Sequence, residues 1–180
     1  EEAIINDVWV DPTNGIDEGN TLGNQNNPFL TINYAMGMIY PTEDNPVTIH
    51  LMTGIFSPST ESFPIIMISN IILDGVGQDN TILDGGGIDR VLFYDNAYET
   101  IVKELTIQNG LTPSDDQSYS GWGGGVLASF SDVEFIDVNI SNNVALEHGG
   151  GFMLDKSKLK MSNSIISDNI SYGSGGGGHV

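Results

Sequence analysis

GGGVLASFSDVEFIDVNISNNVALEHGGGFMLDKSKLKMSNSIISDNISYGSGGG, residues 123–177, opens, turns over and closes on a glycine triplet. Gly123, Gly149 and Gly175 each begin 26 residues after the last, and the register holds between them without gaps. Phe135 falls on Met161, Ile140 on Ile166, Ser141 on Ser167, Asn142 on Asp168 and Asn143 on Asn169. One copy upstream, Leu105-Thr106-Ile107-Gln108-Asn109 matches Val138-Asn139-Ile140-Ser141-Asn142 at a spacing of 33, one period plus seven residues. The polar segment Thr112 to Ser120 accounts for that surplus as an insertion. Ile82-Leu83-Asp84-Gly85 and Ile71-Ile72-Leu73-Asp74-Gly75 are further strand-then-turn units of the same kind.

A period of this length means a solenoid, a propeller or an array. The contents of the unit choose among them. Leu105/Ile107, Val138/Ile140 and Phe152/Leu154 alternate with polar neighbours, which is the period of a half-buried strand. A propeller blade needs roughly 40 residues for its four strands, and a leucine-rich repeat needs a regular Leu pattern. Short strands broken by Gly, Asn and Asp turns fit one coil of a parallel β-helix, in which coils stack at about 4.8 Å and equivalent side chains form ladders. Ile107, Ile140 and Ile166 are expected as an interior ladder. Asn109, Asn142 and Asp168 are expected as a turn ladder, with stacked Asn side chains hydrogen-bonding between coils. The glycine triplets are read as corners that need positive φ and close coil-to-coil approach, not as phosphate loops, because no helix or Lys follows them.

Residues 121–180, with Phe135, Asn142-Asn143-Val144-Ala145 and Gly149-Gly150-Gly151-Phe152, resemble the polymorphic outer-membrane-protein repeat, which pairs an F-x-x-N element with a G-G-[AG]-[ILV] element. The second copy carries Met161 in place of Phe. The front half is similar to bacterial pectate-lyase-like β-helix proteins. It runs through Val8-Trp9-Val10-Asp11, Asn27-Pro28-Phe29-Leu30-Thr31-Ile32, Val47 to Phe56 with Thr53-Gly54, and then Thr81-Ile82-Leu83-Asp84-Gly85. The resemblance implies an all-β, right-handed parallel β-helix of about 26-residue coils, placed outside the cell or on a bacterial cell surface. A fold of this kind hosts many functions and does not by itself imply a reaction.

One domain is expected over 1–180, with residues 1–46 as an N-terminal cap and 47–180 as coils. The expected helix of the cap is Pro28 to Tyr40, where Ile32, Ala35, Met36 and Ile39 share a face and Pro41 ends the run. A cap is needed where the first coil would expose apolar interior and unpaired strand edge, so Trp9 and Phe29 are read as cap core. The chain opens on Glu1-Glu2 without an initiator Met, which reads as a mature or trimmed form. At the other end Gly178-His179-Val180 stops as another coil begins, so that coil either continues or meets another subunit. The expected partner is therefore a further copy, giving a homo-oligomer or a filament by head-to-tail stacking.

Five basic and 24 acidic residues give a net charge of −19. Nucleic acid is excluded as a partner, since phosphate binding depends on Lys and Arg. Anionic glycans are disfavoured unless cations intervene. There is no cysteine, hence no disulfide, thiol nucleophile or thiolate zinc site. No apolar run reaches the 18 or so residues of a membrane-inserting segment. The 23 glycines and 7 prolines of the 180 residues stay below the share of roughly 25–30 % that marks a low-complexity chain.

Calcium takes six to eight oxygens, and the loop Asp11 to Asn20 offers Asp11, Asn14, Asp17 and Glu18 as a metal site. Its spacing lacks the full D-x-[DN]-x-[DN]-G pattern, and Asx turns alone explain such loops. Asp115 and Asp116 of the insertion are weaker candidates. No catalytic residues are assigned. Arg90, Lys103, Lys156, Lys158 and Lys160 lie in no R-x-P-x-x-R-like context, and the G-H-G and R-I-K elements of polygalacturonases are absent. His148 falls on Ser174 in the repeat, so no histidine ladder is expected and His148 is read as a turn residue. Asp84 and Asp89 flank Gly85-Gly86-Gly87 and are likewise read as turn residues. Ice binding calls for flat Thr ladders, which the matched positions do not supply. The function expected is a structural, adhesive or filament-forming module. The alternative is a carbohydrate-binding or carbohydrate-cleaving β-helix using the loop Thr112 to Trp122 as a groove wall, with Tyr119 and Trp122 stacking on sugar rings.

Overall fold

The computed structural model describes residues 4, 6–113 and 119–180. The chain runs through three faces in turn and returns to the first one coil further on. The first face is built from Val8–Val10, Val47–Leu51, Ile71–Asp74, the opening halves of Thr100–Gln108 and Asp132–Ser141, and Lys158–Ser162. The second stacks Gly54–Phe56, Thr81–Asp84, the closing halves of the same two long strands, and Ile165–Ser167. The third stacks Ile65–Met67, Leu92–Asp95, Val126–Ser129, Phe152–Asp155 and Gly178–His179. Every one of these strand pairs is parallel. Strands that pair only with the coil before and the coil after make a parallel β-helix.

Alternation puts one side of each strand inside. On the first face Val8, Ile49, Leu73, Val102, Phe135 and Met161 form one inward column in direct register. On the second, Phe56, Leu83, Ile107, Ile140 and Ile166 form another. The first four of these are fully buried, as are the Val8 to Phe135 members of the first column. On the third face Met67, Tyr94, Ala128 and Leu154 share a column, where the small Ala128 makes room beside the bulky Tyr94. Non-adjacent segments thus bury a single apolar core, the dominant favourable term in the fold.

The corners are made by single residues in the left-handed region. Glu104, Asp137 and Asn163, with φ of 54°, 53° and 51°, turn the chain from the first face to the second. Asn109, Asn142 and Asp168, with φ of 53°, 57° and 54°, turn it off the second face. Asn and Asp tolerate that region better than most residues, which explains their recurrence there. The hydrogen-bonded stack expected of these residues lies one position later. Buried Asn143 donates through Nδ2 to Ile107 O at 3.1 Å and to Asn169 Oδ1 at 3.0 Å, and its Oδ1 accepts the Gly110 N–H at 2.8 Å. A residue held at positive φ redirects the chain, and the residue after it is the one pointed inward to satisfy backbone groups of adjacent coils.

The glycine triplets run beside each other, with Gly124 N–H donating to Gly149 O, Gly125 N–H to Gly150 O, and the next coil repeating the pattern. A Cβ on Gly150 would overlap the carbonyl oxygens of Ile170 and Gly176.

The helix is shorter than expected, Ile32–Met38. Thr31 caps it by accepting the Tyr34 N–H, and the chain is already extended at Ile39, which bridges to Ile4. Ile32, Ala35 and Ile39 enter the core. Phe29 is fully buried as expected, but Trp9 is not part of that core. Val8 and Val10 take the two inward positions of their strand, so Trp9 faces outward and stacks on His50 at 4.7 Å.

Candidate functional site

Trp122, His148 and Ser174 occupy equivalent places on three successive coils, joined by parallel bridges just ahead of each glycine triplet. Stacking therefore lines their side chains along the solenoid axis. Tyr119, three residues before Trp122, puts its ring beside the row at 5.6 Å from that of Trp122, and Trp122 lies 5.8 Å from His148. His179, from the third-face strand of the last coil, stacks on His148 at 5.0 Å and 20°. The register opposite His148 is Ser174, as read from the sequence, yet a histidine pair forms because His179 arrives from the following strand. No pattern in the sequence signals this, since His179 is paired with Met153 in its own ladder.

Polar contacts fix the ring planes. Trp122 Nε1 donates to Glu147 Oε2 at 3.0 Å. The Tyr119 hydroxyl lies 2.9 Å from Ser129 Oγ and donates to Asp155 Oδ2 at 3.3 Å. The backbone of Tyr119 is held by Arg90, whose guanidinium donates to its carbonyl at 2.9 Å. Ser174 Oγ sits between two imidazoles, 2.8 Å from His148 Nδ1 and 3.1 Å from His179 Nδ1. One hydroxyl proton can serve only one of the two rings, so at least one of them carries a proton on Nδ1 and donates to the hydroxyl oxygen. All four ring residues are half-buried, leaving a ring-lined strip open to solvent.

A second polar row lies on the outside of the first face, where register aligns Trp9, His50, Asp74 and Lys103. Asp74 Oδ2 is 3.1 Å from Lys103 Nζ and 3.5 Å from His50 Nδ1, and Asp7 Oδ2 is 3.7 Å from His50 Nε2. The sequence reading missed this row because its members come from four strands of unequal spacing.

The loop residues read as metal ligands use their oxygens within the fold. Asp11 Oδ1 accepts the N–H groups of Thr13 and Asn14 at 2.8 and 3.0 Å, and its Oδ2 accepts Asn14 Nδ2 at 3.0 Å. Burial acts to raise the Asp11 pKa, but these donors outweigh it and hold the carboxyl below its ordinary value. Asp17 turns to another segment, accepting the N–H groups of Leu30 and Thr31 and the Thr31 hydroxyl. The structure therefore joins Asp11 to Asn14, ties Asp17 to the helix entrance and leaves Glu18 exposed. Among the described residues no group of three or more His, Asp or Glu is gathered as a metal site. Asp115 and Asp116 lie outside the described residues. Asp84 accepts Gly86 N–H, Gln108 Nε2 and Asn109 Nδ2, and Asp89 accepts Arg90 N–H, so both hold turns.

A family model described as "Protein of unknown function (DUF1565)" matches residues 13–176. The metabotropic glutamate receptor-like protein P of Dictyostelium discoideum is 29 % identical over 150 residues, which cover 83 % of this chain and 10 % of that protein. The chain thus spans about a tenth of the length of that curated relative. No solved structure matches it.

Proposed function

The chain belongs to the DUF1565 family, a parallel β-helix-type family, and we propose that this member is a structural or adhesive module of an extracellular or cell-surface protein, docking end-on to a further coil of the same pattern. The observation that carries this is Ile166. It continues the column Phe56, Leu83, Ile107 and Ile140, all fully buried, yet is itself 37 % exposed. Ile170, in register with Val144, is 51 % exposed beside it. The edge strands Lys158–Ser162 and Ile165–Ser167 pair on one side only among the described residues. An open edge over apolar side chains is a template for another strand, and the same edge of a second copy offers one.

The opposite end differs. Segment 23–29 lies along the edge of Val8–Val10, through Trp9 N–H to Gly23 O, Phe29 N–H to Trp9 O and Asp11 N–H to Phe29 O, while the helix lays Ile32 and Ala35 on the core. This end serves as the cap. With one end blunted, two copies meeting through their last coils about a two-fold axis would close as a dimer instead of extending. The acidic surface, with its net charge of −19, keeps such a module soluble and apart from nucleic acid. The receptor-like name of the Dictyostelium relative supports the surface setting.

Sedimentation velocity over a wide range of protein concentration tests the reading, with Ile166→Lys as the comparison. The native chain is expected to gain mass with concentration and the variant to remain monomeric. A native chain that stays monomeric throughout would sink self-docking, and filaments in electron micrographs would replace the closed dimer with head-to-tail stacking.

A further inference from the structure

We propose that His148, His179 and Ser174 form a site for a divalent transition-metal ion, Cu²⁺, Ni²⁺ or Zn²⁺, that clasps the last strand to the coil before it. Three segments bring the donors together. His148 and Ser174 stand opposite each other on successive coils, and His179 belongs to the strand Gly178–His179, which pairs with Phe152 and Met153. Both imidazoles turn the same nitrogen toward one atom. Nδ1 of His148 lies 2.8 Å from Ser174 Oγ, and Nδ1 of His179 lies 3.1 Å from it. The rings are stacked at 5.0 Å and 20°, so the two nitrogens sit on the same edge of the stack. Packing fixes the third donor too. Gly175, at φ of 73°, runs so near the strand that a Cβ there would meet His179 Cβ at 2.9 Å, which holds the preceding Ser174 against the imidazole.

Imidazole nitrogen suits copper, nickel and zinc alike, and neutral histidine is the commonest protein ligand to a metal. The Ser174 hydroxyl bonds to both rings and so holds them in place before an ion arrives, which lowers the ordering cost of binding. On binding, the ion takes the Nδ1 lone pair of each ring. A ring that carried its proton on Nδ1 gives it to water and takes one up on Nε2, so both rings stay neutral and no net proton is released. Ser174 keeps its proton and offers an oxygen lone pair, and water completes the coordination. Calcium and magnesium take oxygen ligands, so neither fits a pair of imidazoles. The net charge of −19 draws cations to the surface. Glu147 is not counted among the ligands, because its carboxylate accepts Trp122 Nε1. This inference is independent of end-docking and is read out differently.

Trp9 and Trp122 are the only tryptophans, and the Trp122 ring lies 5.8 Å from that of His148. In a Trp9→Phe protein the fluorescence therefore reports Trp122 alone, and Cu²⁺ held by the neighbouring imidazole quenches it. Titration of that protein with copper chloride, followed by competition with the chlorides of zinc, nickel and calcium, gives the first readout. Thermal melts with and without zinc chloride give the second. Saturable quenching by a single ion per chain is expected, displaced by Zn²⁺ and Ni²⁺ but not by Ca²⁺, together with a melting temperature that rises with Zn²⁺. His148→Gln and His179→Gln should each weaken binding at least about tenfold, because either ring alone loses the advantage of two linked ligands, and each should abolish the rise with zinc. His50→Gln, on the outer row of the first face, should bind as the parent does. Circular dichroism of the variants without metal verifies that the coils still fold. Quenching that does not saturate, or that survives the loss of either His148 or His179, would overturn the proposal and leave the pair as a structural stack.

Discussion

Asn169 Oδ1 receives two hydrogen bonds from Asn143, one from its backbone N–H and one from its Nδ2, each at 3.0 Å. The contact repeats between coils what Asn143 does for the coil before, where its Oδ1 accepts the Gly110 N–H and its Nδ2 reaches Ile107 O. A fully buried carboxamide thereby satisfies backbone groups at a corner where no strand partner exists.

Asn143→Ala should strand at least the Gly110 N–H and the Ile107 carbonyl in the interior. At about 1–3 kcal/mol for each buried group left unsatisfied, a loss on the order of 2–4 kcal/mol is expected in urea unfolding. Asn169→Ala, at the more exposed last coil, should cost less than half of that. A loss under about 1 kcal/mol for Asn143→Ala would mean that the neighbouring coils find other partners.

The 26-residue step made this architecture readable, and the reasons show where reading stops. Ile107, Ile140 and Ile166 were placed correctly in one column because strand alternation and repeat register both point to the same residues. The inter-coil Asn stack was expected one residue early, since identity alone does not reveal that Asn142 is spent on a left-handed turn while Asn143 points inward. Trp9 reads as cap core because the first coil needs a cover, although parity with Val8 and Val10 places it outside. In the candidate strip, Tyr119 and Trp122 were legible as aromatic residues beside an insertion. The stacking of His179 on His148 was not, because it joins residues from different faces whose contact no periodicity encodes. The outer row of His50, Asp74 and Lys103 is hidden in the sequence for a similar reason, its coils being of unequal length.

Two glycine substitutions should act in opposite directions. At Gly150 a side chain would drive into the carbonyls of Ile170 and Gly176, backbone atoms of adjacent strands that yield only by separating the coils. Gly150→Val is expected to cost several kcal/mol, beyond the roughly 1–3 kcal/mol of ordinary overpacking. Gly37 lies in the helix Ile32–Met38 with open space where its Cβ would be. Gly37→Ala should stabilise by about 0.5–1 kcal/mol, through helix propensity and a less flexible unfolded chain. Thermal melts of both variants check the pair, and an unchanged melting temperature for Gly150→Val would remove close coil approach as the reason for the triplet.

Glu61 gives the fold a pH dependence of definite sign. Only 4 % exposed, it accepts hydrogen bonds from Ile32 N–H at 2.5 Å, Asn33 Nδ2 at 2.9 Å and Ser62 N–H at 3.0 Å. Burial nevertheless pushes its carboxyl above the ordinary value of 4.5, the donors offsetting only part of the effect. The folded chain therefore holds this proton more tightly than the unfolded chain. Its contribution to stability is full below the unfolded pKa and is lost as pH rises through the folded one. Asp11 works the other way, its lowered carboxyl contributing above about 3.8 and losing that contribution as pH falls. Glu61→Gln should remove the first dependence and keep the second. In urea unfolding across this range, the native chain is expected to weaken relative to Glu61→Gln between pH 4.5 and neutrality, whereas below the Asp11 value the two should weaken together. A difference between the two proteins that does not vary with pH would show that Glu61 titrates alike in the folded and unfolded chain.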